Sequence, residues 1–334
     1  MSSASPATAR RHRQGAAAVS LAAVGALALS ACGGGNSAGS GTKSEGDAPG
    51  TRTVKTAMGD VRVPAVPKRV VVLDTAELDS AITLGVKPVG STHADVETGF
   101  LNYLPENEVA GIADVGEMMT PNLEAVAELE PDLILTSKVR HEDKYRELKA
   151  IAPTVMTEGT GHPWKENFQL HAEALGKQAE AKKVTDEYTA HAARVTEALG
   201  GRDKAAATRV NVVRFVEGAD IRIYGRKNYI ATVLADVGLG RPSVVDKAKD
   251  GFSYDVSPEK IDLAGEGADV VFHSTYGDPA KAKQTQTLNS ALWRNIPAVK
   301  AGKVFAVDDQ LWIQGIGYTA ANRILDELQA RLTA

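Results

Sequence analysis

The residue with the most specific chemistry in this chain is Cys32, the single cysteine among 334 residues. It ends the sequence Leu29-Ser30-Ala31-Cys32, which closes an apolar run over residues 19–29 that follows three arginines. A basic, apolar and then small-residue order is typical of a secretory signal peptide, and the cysteine stands where a bacterial lipoprotein is cleaved and acylated. Because two acyl chains give stable anchoring, the pattern predicts a signal peptide over residues 1–31. The mature protein is then lipid-anchored on the extracytoplasmic face of the cell membrane.

Two further patterns could carry chemistry. The sequence Ser257-Pro258-Glu259-Lys260 matches the S-x-x-K tetrad of acyl-serine enzymes, but neither S-D-N nor K-T-G accompanies it, which favours a helix cap. Zinc or manganese requires several imidazoles and a carboxylate around one ion, and four histidines are available, namely His93, His141, His162 and His273. We predict that the chain is not an enzyme and has no cofactor or resident metal. A zinc- or manganese-binding lipoprotein is the alternative.

The charge balance argues against a nucleic-acid partner. The formal net charge is -4, and removal of the three arginines in the signal segment, which has no acidic residue, leaves a mature chain near -7. Such a chain lacks the basic surface that binds nucleic acid. Residues 32–50 are mostly small or polar, which predicts a flexible tether. The folded part is expected to begin at residue 51.

The rest of the chain alternates between strand and helix patterns. Short apolar runs bounded by turn residues predict buried parallel strands, at residues 69–73, 88–90, 132–136 and 153–156. Amphipathic spacing predicts helices between them, at residues 76–84, 123–129 and 143–151. Together they form a predicted N-terminal α/β lobe over residues 51–162.

A long helical pattern follows and leads into a second lobe. Apolar residues keep helical spacing over 163–200, which at 1.5 Å per residue corresponds to a connecting helix of roughly 55 Å. Strands are then predicted at residues 209–215, 221–224, 269–272 and 304–307, with helices at 229–237 and 317–332. The sequence therefore predicts an α/β fold with two α/β lobes, the second over 201–334. One long backbone helix joins them, and the ligand cleft lies between them.

This organisation resembles a known family. The resemblance rests on an ordered set of short motifs, namely Pro67-Lys68-Arg69-Val70-Val71, Leu84-Gly85-Val86-Lys87-Pro88-Val89-Gly90, Asn122-Leu123-Glu124, Pro131-Asp132-Leu133-Ile134, Ile151-Ala152-Pro153-Thr154-Val155, Gly238-Leu239-Gly240-Arg241-Pro242 and Val256-Ser257-Pro258-Glu259. Behind a lipid-attachment cysteine, they resemble the helical-backbone (class III) solute-binding proteins of ABC importers. The residues within these motifs are most similar to those of the ferric-siderophore members, and among these to actinobacterial desferrioxamine-binding lipoproteins. The resemblance implies a protein that captures a ferric siderophore, above all a hydroxamate such as ferrioxamine, and delivers it to a permease.

The expected cleft is lined by loops that follow the strands, because ligands bind beyond the carboxyl ends of strands in open α/β sheets. Candidates there are His93, Met119, Arg140, Trp164, Arg222, Tyr224, Arg226, Tyr276 and Trp312. Arginine forks and aromatic walls match the partly anionic oxygens and the methylene skirt of an iron trishydroxamate. An arginine at a strand end is more often a solvated or salt-bridged surface residue, and only the expected position on cleft loops favours ligand binding. Trp312 fits core packing and a ligand wall equally. Where hydroxamate binders often carry a cation just before the Glu124 motif, this chain has Met118-Met119.

Two glutamates stand in matching phrases, one in each lobe. Glu124 and Glu259 each occupy the first turn of a predicted helix that leads into a buried strand, where a carboxylate stabilises the helix dipole by roughly 0.3–1 kcal/mol. The resemblance implies a second role, because family members dock onto permease arginines with one glutamate on each lobe. We therefore predict docking by Glu124 and Glu259, a membrane permease as partner, and a monomer.

Overall fold

The first sheet is a five-stranded parallel sheet. The computed structural model describes residues 50–94 and 99–333. The strands up to residue 157 are β1 Thr51–Thr56, β2 Gly59–Pro64, β3 Val70–Val72, β4 Gly90–His93, β5 Ala113–Glu117, β6 Leu133–Ser137 and β7 Thr154–Thr157. The sheet has the order β5-β4-β3-β6-β7, and all four pairings are parallel. β1 and β2 form a separate antiparallel hairpin.

Helices connect these strands, as the sequence pattern predicts. They are α1 Thr75–Thr83, α2 Glu106–Val109, α3 Leu123–Glu128, α4 Lys138–His141 and α5 Tyr145–Ile151. The Asp74 side chain accepts a hydrogen bond at the start of α1, and the Asn122 side chain does so at the start of α3, in keeping with the preference for short polar side chains at the N-cap. In α1 every residue from Thr75 to Ile82 is buried, so this helix lies inside the molecule.

The connecting segment differs from the predicted single helix. It contains two helices, α6 Trp164–Leu175 and α7 Gln178–Ala198, separated at Gly176. Gly176 has φ +72°, and a Cβ there would lie 2.8 Å from the carbonyl oxygen of Ala65. The Arg52 guanidinium donates to the carbonyl of Glu173 at 2.9 Å. α6 therefore ends in a left-handed glycine cap beside the β1-β2 hairpin, and the chain restarts in α7.

The second sheet is mixed. Its strands are β8 Val210–Val216, β9 Ile221–Tyr224, β10 Ser253–Val256, β11 Val270–Tyr276 and β12 Val304–Ala306, in the order β10-β9-β8-β11-β12. β8, β11 and β12 pair in parallel, whereas β9 and β10 add an antiparallel edge. The accompanying helices are α8 Arg202–Ala207, α9 Tyr229–Asp236, α10 Gln284–Leu288, α11 Ala291–Asn295, α12 Pro297–Lys300 and α13 Tyr318–Leu332.

One hydrophobic core extends from the first sheet to the second. It contains Val70 and Val72 of β3, Val210 and Val212 of β8, and apolar side chains of α6, α7 and α13. Two smaller cores lie on the other faces of the sheets. The last helix packs on α1 as well as on α7, so it contacts elements of both halves. Within the described residues no helix is long and apolar enough to cross a membrane.

Candidate ligand-binding cleft

A cleft of about 380 Å³ opens between the two sheets. Its walls come from both halves, at the carboxyl ends of β3, β6, β8 and β11, as expected for an open α/β sheet. The lining residues are Thr75, Ala94, Met118, Arg140, Thr160, Gly161, Arg214, Val216, Arg222, Tyr224, Asn228, Tyr229, Ile230, Phe252, Tyr276, Trp312, Ile313, Gln314 and Ile316. Three of them are arginines, and no acidic side chain lines the cleft within the described residues.

The second sheet places two of these arginines side by side. Arg214 of β8 is the register partner of Arg222 of β9, and Arg222 is in turn opposite Asp255 of β10. Side chains alternate between the faces of a strand, and the neighbours Val213 and Phe215 are buried on the opposite face. The alternation in β8 therefore directs Arg214 into the cleft, and the antiparallel register brings Arg222 next to it.

Arg214 is held by a carboxylate from a distant part of the chain. Its Nε donates to Asp309 Oδ1 at 2.7 Å and its Nη2 donates to Asp309 Oδ2, a two-point fork of the kind that fixes guanidinium orientation. The Ser274 hydroxyl and the Gln314 amide also donate to Asp309, at 2.7 and 2.9 Å. Burial is the largest single influence and opposes the charged form of Arg214, but the hydrogen bonds and charge of Asp309, together with Tyr224, outweigh it and raise the pKa of the guanidinium. Arg214 is thus a fixed, fully ionised donor.

Arg140 supplies the cation of the first half. Its Nε donates to Asp74 Oδ2 at 2.8 Å, and this carboxylate is completely buried. Asp74 also accepts from the backbone N–H of Thr75 at 2.6 Å, at the start of α1. The same carboxylate therefore caps α1 and orients Arg140, which links the position of the guanidinium to the first strand-to-helix turn.

Aromatic and apolar groups surround the arginines. The Arg214 guanidinium lies 4.4 Å from the centre of the Tyr276 ring, in cation–π distance. Tyr224 and Phe252 meet edge to face at 5.9 Å. Phe252 from the second half and Met119 from the first are exposed. The cleft thus combines charged donors with an apolar rim.

A turn of π-helix over Gln310–Gln314 closes one side of the cleft. The Thr75 hydroxyl donates to the carbonyl of Gln314 at 2.8 Å, and the Asn102 side chain donates to Asp308 at 2.9 Å. The Tyr229 hydroxyl donates to the carbonyl of Gly317, also at 2.8 Å. This segment is therefore fastened to both halves, and π-turns are frequent at functional sites.

Five of the nine predicted ligand-binding residues line the cleft, namely Arg140, Arg222, Tyr224, Tyr276 and Trp312. Trp312 nevertheless belongs mainly to the core. Its side chain is fully buried, it stacks on Phe272 with a centroid distance of 4.5 Å, and its indole N–H donates to Glu327 at 2.9 Å. A role for these five residues in ligand binding stays a prediction.

The other four predicted residues lie outside the cleft lining. Trp164 is buried in the core, where its ring contacts Tyr229 at 5.2 Å, because the apolar face of α6 points inward. Arg226 forms an exposed fork with Asp246. His93 bonds to Asp114 at 2.9 Å. Met119 stands at the rim, with its sulfur 3.6 Å from the Arg140 guanidinium.

The sequence reasoning missed Arg214, Asn228, Tyr229 and Phe252, which line the cleft. A signal for Arg214 was present, because it is the single charge within the strand Val210–Val216. A charge inside a buried strand requires a partner, but Asp309 is 95 positions away in the sequence. The sequence therefore indicates that Arg214 has an acidic partner, but it does not identify Asp309 as that partner.

The histidines of the metal alternative lie in different environments. His141 is buried and bonds to Thr136 and to the carbonyl of Met118, His273 packs between Phe215 and Trp293, and His162 is exposed. Among residues 50–94 and 99–333, no group of three or more histidine, cysteine or acidic side chains is placed to hold a metal ion.

The two glutamates of the matching phrases are both exposed. Glu124 lies in the first turn of α3, where Asn122 accepts from its backbone N–H at 3.1 Å. Glu259 lies at the start of a 3₁₀-helix over Pro258–Gly265 instead of an α-helix. A hydrogen bond from Ser257 lowers the pKa of the Glu259 carboxyl. Both carboxylates are thus available at the surface.

The chain belongs to the Periplasmic binding protein family, to which residues 70–311 match. It is 38% identical over 312 residues to the probable siderophore-binding lipoprotein YfiY of Bacillus subtilis, covering 91% of this chain and 93% of that protein. The iron(3+)-hydroxamate-binding protein YxeB of the same species is 29% identical, over 84% and 85% of the two chains.

Among solved structures, the fold matches Staphylococcus aureus SirA complexed with staphyloferrin B. The TM-score is 0.76 at 32% identity, covering 84% of this chain and 98% of SirA. The predicted two-lobed α/β fold and the resemblance to solute-binding proteins are confirmed.

Proposed function

We propose that this chain is a lipid-anchored receptor that captures a ferric siderophore in the cleft and delivers it to an ABC permease for iron uptake. The observation that carries the proposal is the convergence of Arg140, Arg214 and Arg222 from both halves on one cleft with an apolar rim. The relatives YfiY and YxeB, whose names refer to siderophore and iron-hydroxamate binding, support the same ligand class.

The cleft suits such a ligand in two ways. Ferric chelates present partly anionic oxygens around the metal, and guanidinium groups donate charge-assisted hydrogen bonds to them. The organic backbone of the chelator is apolar, and Phe252 and Met119 offer exposed apolar surface at the rim. Iron is cargo in this proposal, held by the siderophore without any ligand from the protein. No chemistry is done on it, and no cofactor takes part.

Titration of tryptophan fluorescence tests the proposal. We expect ferrioxamine and ferrichrome to quench the signal at low concentration, and haem and Zn²⁺ to have no comparable effect, which separates the metal-binding alternative. Replacement of Arg222 by Ala should weaken binding by about 1.5–3 kcal/mol, the value of a charged hydrogen bond. Arg226→Ala is the matched control, since Arg226 follows the same strand but pairs with Asp246 outside the cleft lining. Equal affinities of both variants and wild type would contradict the cleft assignment.

Delivery requires contact with the permease. We infer that Glu124 and Glu259 make this contact, because they are exposed and stand at corresponding positions in the two halves. Charges at an interface steer and orient a partner more than they add affinity. A monomer with one docking carboxylate on each lobe suits this role. The acylated Cys32, which lies outside the described residues, would keep the receptor at the membrane surface.

A further inference from the structure

Each of the three arginines that line the cleft in the described part of the chain pairs with a carboxylate. The pairs are Arg140 with Asp74, Arg214 with Asp309 and Arg222 with Asp255. Asp74 and Asp309 are buried, whereas Asp255 is 44% exposed beside its partner. None of the three aspartates belongs to the cleft lining, so the ligand meets the guanidinium groups and not the carboxylates.

The pairing of each arginine with a carboxylate changes how strongly the cleft attracts anionic ligands. A lone guanidinium attracts anions over several ångströms, but the field of a close ion pair falls off faster, because the two opposite charges cancel at a distance. Short hydrogen bonds from the remaining N–H groups keep their strength, since these depend on local contact. The cleft therefore presents directed donors without a net positive charge from its arginines.

We propose that this charge balance makes the cleft selective for ferric chelates of low net charge, and that it discriminates against strongly anionic ones. In a trishydroxamate, three singly ionised groups cancel the charge of Fe³⁺. In a triscatecholate, three doubly ionised groups leave the complex strongly negative. Such an anion loses water on binding and requires uncompensated cations to offset that cost, which these pairs do not provide. The inference rests on the proposed function and names the ligand class of the same site.

The ratio of two dissociation constants tests the proposal. Ferrichrome serves as the neutral trishydroxamate and ferric enterobactin as the triscatecholate, and the wild-type protein should bind ferrichrome more tightly. Asp255→Asn and Asp74→Asn each keep the shape of the side chain and remove the carboxylate charge that faces one cleft guanidinium. We expect each to shift the ratio toward the triscatecholate by about tenfold, which corresponds to about 1.4 kcal/mol.

The two variants carry different risks. Asparagine is also a favoured N-cap residue, so the start of α1 should survive in Asp74→Asn. Asp255 is partly exposed on an edge strand, so Asp255→Asn remains informative even when the buried variant does not fold. Because the ratio compares two ligands on one protein, a general loss of affinity cancels.

The matched control is Asp269→Asn. Asp269 forms a two-point fork with Arg209, at 2.8 and 2.9 Å, and is 38% exposed. Arg209 precedes β8, at the end of the strand remote from the cleft, so the ratio should stay at the wild-type value. The proposal is overturned when wild type prefers ferric enterobactin, when neither cleft variant shifts the ratio, or when Asp269→Asn shifts it equally. Failure of wild type to bind ferrichrome, ferrioxamine or ferric enterobactin would overturn the proposed function itself, and this inference with it.

Discussion

The pair Arg214–Asp309 serves stability and binding at once, and a double variant separates the two. Arg214→Met keeps the length of an unbranched side chain and removes the guanidinium. Of its described side-chain donors, Asp309 then keeps Ser274 and Gln314 and stays buried. Because removal of one partner leaves an uncompensated buried charge, we expect the free energy of unfolding to fall by about 3–5 kcal/mol.

The second change, Asp309→Asn in the same chain, removes that charge. The amide oxygen can still accept from Ser274, and the Gln314 side-chain oxygen, which is buried without a hydrogen-bond partner among the described residues, can accept from the new amide N–H after rotation of the Gln314 amide. The double variant should therefore regain most of the lost stability, ending within about 1–2 kcal/mol of wild type. Its affinity for the ferric siderophore should stay low by about 1.5–3 kcal/mol, since the charged donor is absent.

Urea unfolding followed by circular dichroism measures the first quantity, and fluorescence titration with ferrichrome measures the second. Equal slopes of the unfolding curves in the three proteins would show that the midpoints report stability. A double variant as unstable as Arg214→Met alone would mean that the lost contact with Tyr276, not the unpaired carboxylate, causes the destabilisation. Recovery of affinity in the double variant would refute the placement of Arg214 against the ligand.

Three further predictions concern anchorage, docking and pH. Cys32→Ser should release the protein from the membrane or leave its precursor uncleaved, as seen by fractionation and acyl labelling. Glu124→Arg or Glu259→Arg should leave siderophore affinity unchanged and sharply reduce ⁵⁵Fe-siderophore uptake by cells, because a like charge at a contact repels. Burial lowers the pKa of His273 from 6.5 to about 4. The neutral imidazole therefore makes its full contribution to the free energy of unfolding above pH 6.5, and roughly 3 kcal/mol of that free energy is lost as the pH falls to 4. His273→Phe, which cannot ionise, should lose correspondingly less stability over this range.

Each of these has a contradicting outcome. Unchanged membrane association and acyl label in Cys32→Ser would refute the lipid anchor. Normal uptake with both charge reversals, together with a slightly lower melting temperature, would leave only the helix-dipole role for the glutamates. Parallel melting-temperature curves for His273→Phe and wild type between pH 6.5 and 4 would show that the imidazole is protonated equally in the folded and unfolded states.

The sequence predicted best those elements whose signals are local. The parallel strands β3, β6 and β7 and the strand β8 were predicted within one residue at either end, because buried strands of this kind read as apolar runs. The antiparallel strand β9 was predicted with its observed bounds from its alternating residues. The edge strands β5 and β10 and the hairpin β1-β2 were missed, since their partly exposed residues give no such run. The break at Gly176 was also missed, although a glycine cap is a local helix-end signal, because the apolar residues keep helical spacing on both sides of it.

The residues of the candidate site also differ in whether a local sequence signal predicts them. Arg140 and Arg222 were placed in the cleft by the rule that ligands bind near strand ends, which needs only the strand pattern. Trp164 was misplaced by the same rule, although its four-residue spacing with Phe168 and Ala172 places it on the buried face of α6. Arg214 was missed because it lies within a strand and not in the loop after it. Its orientation depends on Asp309, a contact that forms only in the folded chain.

The position of Asp309 depends in turn on the hydrogen bonds that hold the π-turn Gln310–Gln314 and the start of α13. The backbone N–H groups of Thr319 and Ala320 at the start of α13 donate to Asp79 of α1, at 3.1 Å each, and the Tyr103 hydroxyl donates to it at 2.9 Å. The final helix therefore begins on a side chain of the first half, while the π-turn before it carries cleft residues next to the second sheet. Both ends of this segment are fixed before any ligand arrives. Since ordering of loops and side chains reduces binding free energy, a cleft built on such a segment loses little affinity to ordering when it captures its ligand.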